Sequence, residues 1–221
     1  MPPDLPPWQT VSHYCRSWRQ QGWWEQVHAA LRAQERVRQG RGPPERGHPG
    51  QPECQDHRTG GQHGYDGAKK VNGRKRHLLV DPLGLVCKVQ ATAADVGDRD
   101  GPAQLLRSLD RRRFPRWRPG WADSGYRGPF LDWAHKHRGI AFQVVQRSDG
   151  GRQRRWLPPG ATPPIVSPFA VAPRRWVVER TFAWLGRYRR LSKDYEYRTA
   201  TSEAVIYLAM TRLLLRRLTR P

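Results

Sequence analysis

The fold is decided by a hydrophobic stretch in the first half of the chain, RHLLVDPLGLVCKVQA, residues 76–91. Its two ends, Arg76–Val80 and Leu85–Ala91, are rich in leucine and valine, and β-branched residues favour strands. Between them lies Asp81-Pro82-Leu83-Gly84, which is typical of a tight turn because proline fixes φ and glycine tolerates positive φ. The stretch therefore predicts an antiparallel hairpin.

The residues after the hairpin alternate between strand-like and helical patterns. The pattern predicts strands that end at Asp123 and Val145, and a loop rich in proline and glycine over Gly150–Pro173. It predicts helices over Asp100–Asp110, Pro129–His137, Arg174–Leu191 and Ser202–Leu218, the last with Ser202 as its N-cap. This alternation favours a mixed α/β core.

The residues before the hairpin fall into two parts of different character. Apolar residues recur at helical spacing over Trp8–Leu31 and the pattern is broken at Gly22, which predicts two short helices joined by a turn. Such a pair is either a helix-turn-helix that reads DNA or a packing element. Arg38–Gly64 consists mainly of glycine, proline, glutamine, arginine and histidine, a composition typical of a disordered linker.

The overall composition points to a polyanionic partner. The chain of 221 residues carries 40 lysines and arginines against 19 acidic residues, a formal net charge of +21. A GC-rich genome explains the preference for arginine over lysine but not the shortage of acids, so nucleic acid is the favoured partner. No apolar run approaches the roughly 20 residues of a membrane span, and three scattered cysteines indicate no disulfide framework. We expect a cytoplasmic protein.

Two acidic residues have surroundings that suggest chemistry. Asp123 ends an apolar run before a glycine-containing turn, and strand ends are where α/β folds expose reactive groups. Glu179 is one acid among many bases on a predicted helix, and its alternative role is a surface ion pair with Arg175 one turn earlier. Cleavage of a phosphodiester by two metal ions requires carboxylates from separate elements, and oxygen ligands suit Mg²⁺ or Mn²⁺.

Three motifs carry a resemblance to a known family. The stretch GYDGAKKVNGRKRHLLVD, residues 64–81, closely resembles the bacterial insertion-sequence transposases of the IS-five group. Trp121–Tyr126 resembles the segment with that family's second catalytic aspartate, and Arg174–Leu185 resembles the segment with its catalytic glutamate. Leu5–Val11 resembles part of an N-terminal DNA-binding region that normally begins earlier, so we expect the chain to be truncated at its start.

The resemblance implies a fold and a division of the chain. It implies a ribonuclease-H-like catalytic core, a mixed sheet with flanking helices, preceded by a partial helical DNA-binding segment. Residues 1–37 are expected to be the remnant of that segment, residues 38–63 a linker-like stretch, and residues 64–221 the catalytic domain with an incomplete first strand.

The resemblance also implies an activity and its residues. The expected activity is metal-dependent cleavage and strand transfer of an insertion element, by a homo-oligomer on double-stranded DNA at the nucleoid. The partners are the terminal inverted repeats of the element and the target DNA, and Asp123 and Glu179 would hold two Mg²⁺ or Mn²⁺ ions. Phosphate contacts are expected from Lys69, Lys70, Arg74, Lys75, Arg76, Arg175, Arg180 and Arg187, although a solvated turn is the alternative for residues 69–76. The family's lysine seven residues after the glutamate is here Gly186, with Arg187 beside it.

The first catalytic aspartate of the family is missing. It is expected about fourteen residues before Gly64, in a segment like ILDSQSVKTTE, where this chain has Gly50. Codons that encode Gly42 to Arg58 permit a sequence of that kind, DPPSAGILDSQSVKTT, when they are read one base over. We infer that residues 42 to about 59 are an out-of-frame translation bounded by two compensating shifts.

The nucleotide sequence tests this hypothesis directly. We expect the codons from Gly42 to Arg58 to spell the apolar strand and its aspartate in the shifted frame, and any other reading contradicts the hypothesis.

The sequence leaves two rival functions open: a DNA-binding remnant without enzymatic activity, and a basic RNA-binding protein. The second predicts no use for Asp123 or Glu179.

Overall fold

The computed structural model describes residues 4–43, 46–50, 53–55, 61–114, 120–123, 128–145 and 176–220. The helices are α1 (Trp8–Gln20), α2 (Trp23–Arg38), α3 (Asp100–Arg107), α4 (Pro129–Arg138), α5 (Trp176–Gly186), α6 (Arg189–Ser192) and α7 (Thr199–Leu218). The strands are β1 (His48–Gly50), β2 (Glu53–Gln55), β3 (Gly64–Asp66), β4 (Val71–Val80), β5 (Val86–Ala93), β6 (Gly120–Asp123) and β7 (Phe142–Val145). The expected mixed α/β class is confirmed.

The predicted hairpin is confirmed as the centre of the structure. β4 and β5 pair antiparallel, from Arg74 opposite Ala93 to Val80 opposite Val86. The turn is closed by Asp81, whose buried carboxylate accepts the backbone N–H groups of Leu83 and Leu85, both at 2.9 Å. Gly84 has φ of 76°, the left-handed conformation that favours glycine.

β4 is the strand on which the others assemble. β5 pairs with residues 74–80 of β4, and β3 pairs with residues 71–73. β1 and β2 pair with β4 in a single antiparallel register, with Gly50 opposite Leu78 and Glu53 opposite Lys75. β6 and β7 form a separate parallel pair. The order of strands along the chain therefore differs from their order in space, so the sheet depends on contacts between distant segments.

Alternation along β4 divides the core into two layers. Leu78 and Val80 pack against α5 and α7, whereas Leu79 packs against α3 and α4. All three side chains have no exposed surface. Helices consequently cover both faces of the hairpin, and truncation of any of these three residues to alanine removes about 2–5 kcal/mol of stability.

The N-terminal helix pair is confirmed, with its turn at Gly22 in the left-handed conformation (φ 70°). α2 packs on α7, and its Arg32 donates to the carbonyl of Val86 at 2.6 Å. Arg36 forms an ion pair with the buried carboxylate of Asp81. α2 is therefore joined to the same core as the hairpin, and the DNA-binding role expected for residues 1–37 stays a prediction.

Two expectations about the ends of elements are wrong. Ser202 is not the N-cap of the last helix, because α7 begins at Thr199 and the buried Ser202 hydroxyl donates to Asp194 at 2.7 Å. The helix predicted over Arg174–Leu191 ends at Gly186 and is followed by the separate α6. The break is at Tyr188, which has extended backbone (φ −97°, ψ 116°) and donates its hydroxyl to the carbonyl of Ala209.

The linker predicted from composition over Arg38–Gly64 is also wrong in part. β1 and β2 lie within it, and His48 and Pro49 are buried. The composition does not predict these strands, because their residues do not favour a strand by themselves. The strands form through pairing with β4. The loop predicted over Gly150–Pro173 lies outside the described residues. No helix among the described residues is both long and apolar enough to cross a membrane.

A buried ion pair ties β4 to the C-terminal part of the chain. Arg74 donates to Asp194 at 3.1 Å, and neither side chain has exposed surface. The same guanidinium donates to the carbonyls of Glu196 and Tyr197. Because burial removes both charges from water, each depends on the other for compensation.

We expect Asp194→Asn to lower the free energy of unfolding by about 3–5 kcal/mol, because the substitution leaves the charge of Arg74 buried without its partner. Urea denaturation followed by circular dichroism measures this loss. Asp132→Asn, at an exposed position on α4, is the control and should change stability by less than about 1 kcal/mol. Equal stability of the two variants contradicts the role of the ion pair.

Candidate active site

β1 and β6 lie side by side and run in parallel. A Cβ built on Gly120 would lie 2.0 Å from the carbonyl oxygen of Gly47, so the two backbones approach closely. One residue further along both strands, the rings of His48 and Trp121 stack with centroids 4.9 Å apart and planes within 4°. Both contacts join residues at the same sequence offset, as parallel strands do, and that offset places Gly50 level with Asp123.

The other neighbour of Gly50 is helix α5. A Cβ built on Gly50 would lie 2.1 Å from Val178 Cγ1 and 3.2 Å from Phe182 Cε2. These two residues come immediately before and one turn after Glu179 in α5. The end of β1 therefore lies between the strand that ends in Asp123 and the helix that carries Glu179.

Of the two predicted acidic residues, the structure describes Asp123 at the end of a strand and Glu179 on a helix, and their catalytic role stays a prediction. Asp123 is the last residue of β6, where it pairs with Val145 of the parallel neighbour β7. Glu179 is exposed in the first turn of α5, between the buried Val178 and the partly buried Arg180. Arg175, the proposed ion-pair partner of Glu179, lies outside the described residues.

The described residues do not provide a complete metal site. No group of three histidine, cysteine, aspartate or glutamate side chains lies close together in the part of the chain that the structure describes. The position between Asp123 and Glu179 is held by Gly50, which has no side-chain ligand atom. A site for two divalent ions requires converging carboxylates from separate elements, and Gly50 at the end of β1 offers none.

The central basic residues of the predicted DNA-binding set are buried. Arg76 donates to the carbonyls of Leu191 and Lys193 at 2.7 and 3.0 Å, much as Arg74 contacts Asp194. Lys75 contacts Asp66 at 3.1 Å and Asp98 at 2.8 Å. Burial lowers the pKa of Lys75, but hydrogen bonds to Asp98 and Asp66 outweigh it and leave the pKa raised. In this structure these three cations are compensated within the protein, so their assignment to DNA phosphates needs revision.

Other members of that set lie at the surface. Lys69 and Lys70 are exposed in the turn after β3, where Asp66 accepts the backbone N–H groups of Ala68 and Lys69. Arg187 is exposed immediately after α5. These three residues keep the position that contact with a phosphate requires.

Arg180 has an environment that sequence reasoning did not anticipate. Its guanidinium lies over the rings of Trp176 and Trp184, 4.4 and 4.8 Å from their centroids, and donates to the carbonyl of Leu83. Burial and the nearby Arg217 lower its pKa. The spacing of Trp176, Arg180 and Trp184 by four residues each was the available signal, since such residues share one helix face. Cation–π contact makes Arg180 a rigid part of the surface beside Glu179.

Comparison with known proteins gives a family match over most of the chain. The sequence model of a family described as a transposase DDE domain matches residues 45–214. A curated relative from Burkholderia cepacia, titled "Putative transposase for insertion sequence element IS402", is 30% identical over 146 residues. The match covers 62% of this chain and 60% of the relative, so the chain spans less than two thirds of that protein's length. No solved structure matches.

The close fit around Gly50 can be tested by substitution. We expect Gly50→Ala to lower stability by about 1–3 kcal/mol, because its methyl group overlaps Val178 and forces the strand or helix to move. Gly50→Asp should cost at least as much. In a Val178→Ala background the cost of Gly50→Ala should fall, and a double-mutant cycle of denaturation midpoints measures the difference.

Gly186→Ala is the matched control, because a Cβ at Gly186 meets nothing within 4 Å. It should not destabilise the protein. Additive effects of Gly50→Ala and Val178→Ala would show that β1 does not contact α5 in solution.

Proposed function

The chain belongs to the transposase DDE domain family, and from that premise we propose that it derives from an insertion-sequence transposase of the IS-five group that cleaves and joins double-stranded DNA. The observation that carries the proposal is the meeting of three elements at Gly50: the end of β1, the end of β6 and the first turn of α5. Asp123 and Glu179 stand on two of these elements. The terminal repeats of the element and its target DNA are the proposed substrates.

We propose that the core is ribonuclease-H-like. Support comes from the order β5, β4, β1, whose neighbours pair antiparallel, and from the parallel pair of β6 and β7, in which β6 lies beside β1. Further support comes from the helices on both faces of the hairpin. In open α/β sheets, ligands bind beyond the carboxyl ends of parallel strands, which is where Asp123 and Gly50 stand.

The metal chemistry of the family does not fit this chain as it is written. Two divalent ions, Mg²⁺ or Mn²⁺, are expected from the family, with Asp123 and Glu179 as ligands. The third element presents Gly50, so the ligand set lacks one carboxylate. We therefore propose that this chain has little or no strand-transfer activity.

The position of the missing carboxylate supports the frameshift hypothesis. β1 lies in the interior of the fold, yet its residues are His48, Pro49 and Gly50. Proline lacks the N–H that a central strand donates, and histidine is costly to bury. The shifted reading would place isoleucine and leucine at positions 48 and 49 and aspartate at position 50. An apolar strand that ends in a carboxylate suits the burial of β1, and the carboxylate side chain at position 50 requires Val178 to move aside.

The surface charge supports DNA as the partner. The formal charge of +21 favours binding to phosphates, with affinity that falls steeply as salt rises. We propose Lys69, Lys70, Arg180 and Arg187 as the contacts, with Arg175 added from the family signature. Arg74, Lys75 and Arg76 are left out because their charges are compensated internally. Assembly as a homo-oligomer on DNA and a place at the nucleoid follow from the same proposal.

The second candidate function is a DNA-binding remnant without enzymatic activity. The glycine at position 50 favours it for the chain as written, since basic surface residues remain while a metal ligand is lost. An RNA-binding protein has no such support, because charge alone would serve it and the family match concerns DNA.

Restoration of the segment separates the two functions. We expect replacement of residues 42–57 by DPPSAGILDSQSVKTT to produce Mg²⁺-dependent nicking of DNA that carries the element's terminal repeats, whereas the chain as written gives none. Gel analysis of end-labelled DNA measures the products. The same restored chain with Asp123→Ala is the control and should lose at least about a hundredfold in rate, since its second metal ligand is gone.

A restored chain that folds, binds DNA and remains inactive would contradict the proposed active site. Nicking that survives Asp123→Ala would point to a contaminating nuclease.

A further inference from the structure

A cleft of about 710 Å³ lies between the N-terminal helices and the C-terminal part of the chain. One wall is α1 with the start of α2, and the other is formed by residues 190–198 with α7. Its volume lies within the roughly 300–1,000 Å³ of ligand pockets. The wall at residues 194–197 is fixed by Asp194 and by the carbonyls that bind Arg74, so the core determines the position of this wall.

Aromatic side chains with free faces line this cleft. Trp8 is 64% exposed and Tyr197 is 66% exposed, although both are large apolar side chains. Trp24 forms part of the inner lining together with Val205 and Leu208. Exposed aromatic rings on opposite walls of a cleft can each stack on a flat ligand.

The rim of the cleft is strongly basic. Arg16, Arg19, Arg190 and Arg198 line it, against a single acidic residue, Glu196. The Glu196 carboxylate is already bound by Arg190, at 2.6 and 3.2 Å. Arg16 and Arg198 are exposed and form no ion pair with any residue that the structure describes. The rim therefore attracts an anion and repels a second copy of this basic chain.

We propose that this cleft binds unpaired nucleotides of a DNA strand, with bases stacked on Trp8 and Tyr197 and phosphates held by Arg16 and Arg198. The proposal rests on the proposed function, since it concerns DNA, but it needs neither the metal ions nor the acidic residues. Unpaired nucleotides are favoured over duplex because only an unstacked base presents its flat face. A base that remains inside a duplex cannot enter a cleft of this size.

Fluorescence anisotropy with a labelled eight-nucleotide oligothymidylate, in EDTA, tests the proposal. We expect the full chain to bind this strand more tightly than a blunt hairpin duplex of equal charge at the same salt concentration. Trp8→Ala should weaken binding to the strand by about tenfold, because it removes one stacking partner. Arg16→Gln and Arg198→Gln should each weaken it and reduce its dependence on salt.

Matched controls come from the same protein. Trp23 is also exposed but does not line the cleft, and Arg112 is an exposed arginine elsewhere on the surface. Trp23→Ala and Arg112→Gln should each weaken binding less than about twofold. Circular dichroism of every variant confirms that folding is unchanged.

The proposal is overturned if the cleft variants lose no more affinity than these controls, or if duplex binds as tightly as the strand and shows the same losses. It is also overturned if polyglutamate displaces the strand while Trp8→Ala has no effect, which would indicate binding by charge alone. A change in oligomeric state on Trp8→Ala, measured by sedimentation, would identify the cleft as an interface between copies. The binding assay uses the chain as written in EDTA, without metal ions or cleavage, so failure of cleavage and failure of this cleft are separate results.

Discussion

Three consecutive cations in the middle of a buried strand constrain the whole structure. Arg74, Lys75 and Arg76 lie in β4 and are at most 5% exposed, so each must find its compensation inside the protein. Arg74 and Arg76 find it in Asp194 and in the carbonyls of residues 191–197, and Lys75 finds it in Asp66 and Asp98. The contacts of Arg74 and Arg76 join segments more than 100 residues apart. They fix the position of residues 191–197, which precede α7 and form part of one wall of the cleft between α1 and α7.

The strand β1 shows how far tertiary context can impose structure on an unsuitable sequence. A histidine, a proline and a glycine have no preference for a central strand, yet β1 pairs with β4 and packs against β6 and α5. The position of β1 also shows where the expected catalytic aspartate is missing. Gly50 is where a side chain would enter the meeting point of β6 and α5, and the room for that side chain has been taken by Val178.

The basic residues of this chain have two roles, internal compensation and surface charge, which the composition alone does not distinguish. Some of the arginines form internal ion pairs or cation–π contacts, such as Arg180 with Trp176 and Trp184. The remainder lies at the surface, in the turn that holds Lys69 and Lys70, at Arg187, and around the cleft between α1 and α7. Nucleic-acid affinity depends on the second group alone, because a buried and compensated cation releases no counterions from DNA.

The sequence by itself determined the hairpin, the alternation of helices and strands, the strand end at Asp123 and the helix that carries Glu179, because local periodicity and turn chemistry encode these features. It also determined the family, through motifs whose order along the chain is specific. Only the tertiary structure decided that His48–Gly50 form a strand, that Ser202 of α7 binds Asp194, and that Arg74, Lys75 and Arg76 are buried. The reason is physical: burial and partner choice depend on segments that are distant in the chain, and no local pattern of residues records which of those segments will meet.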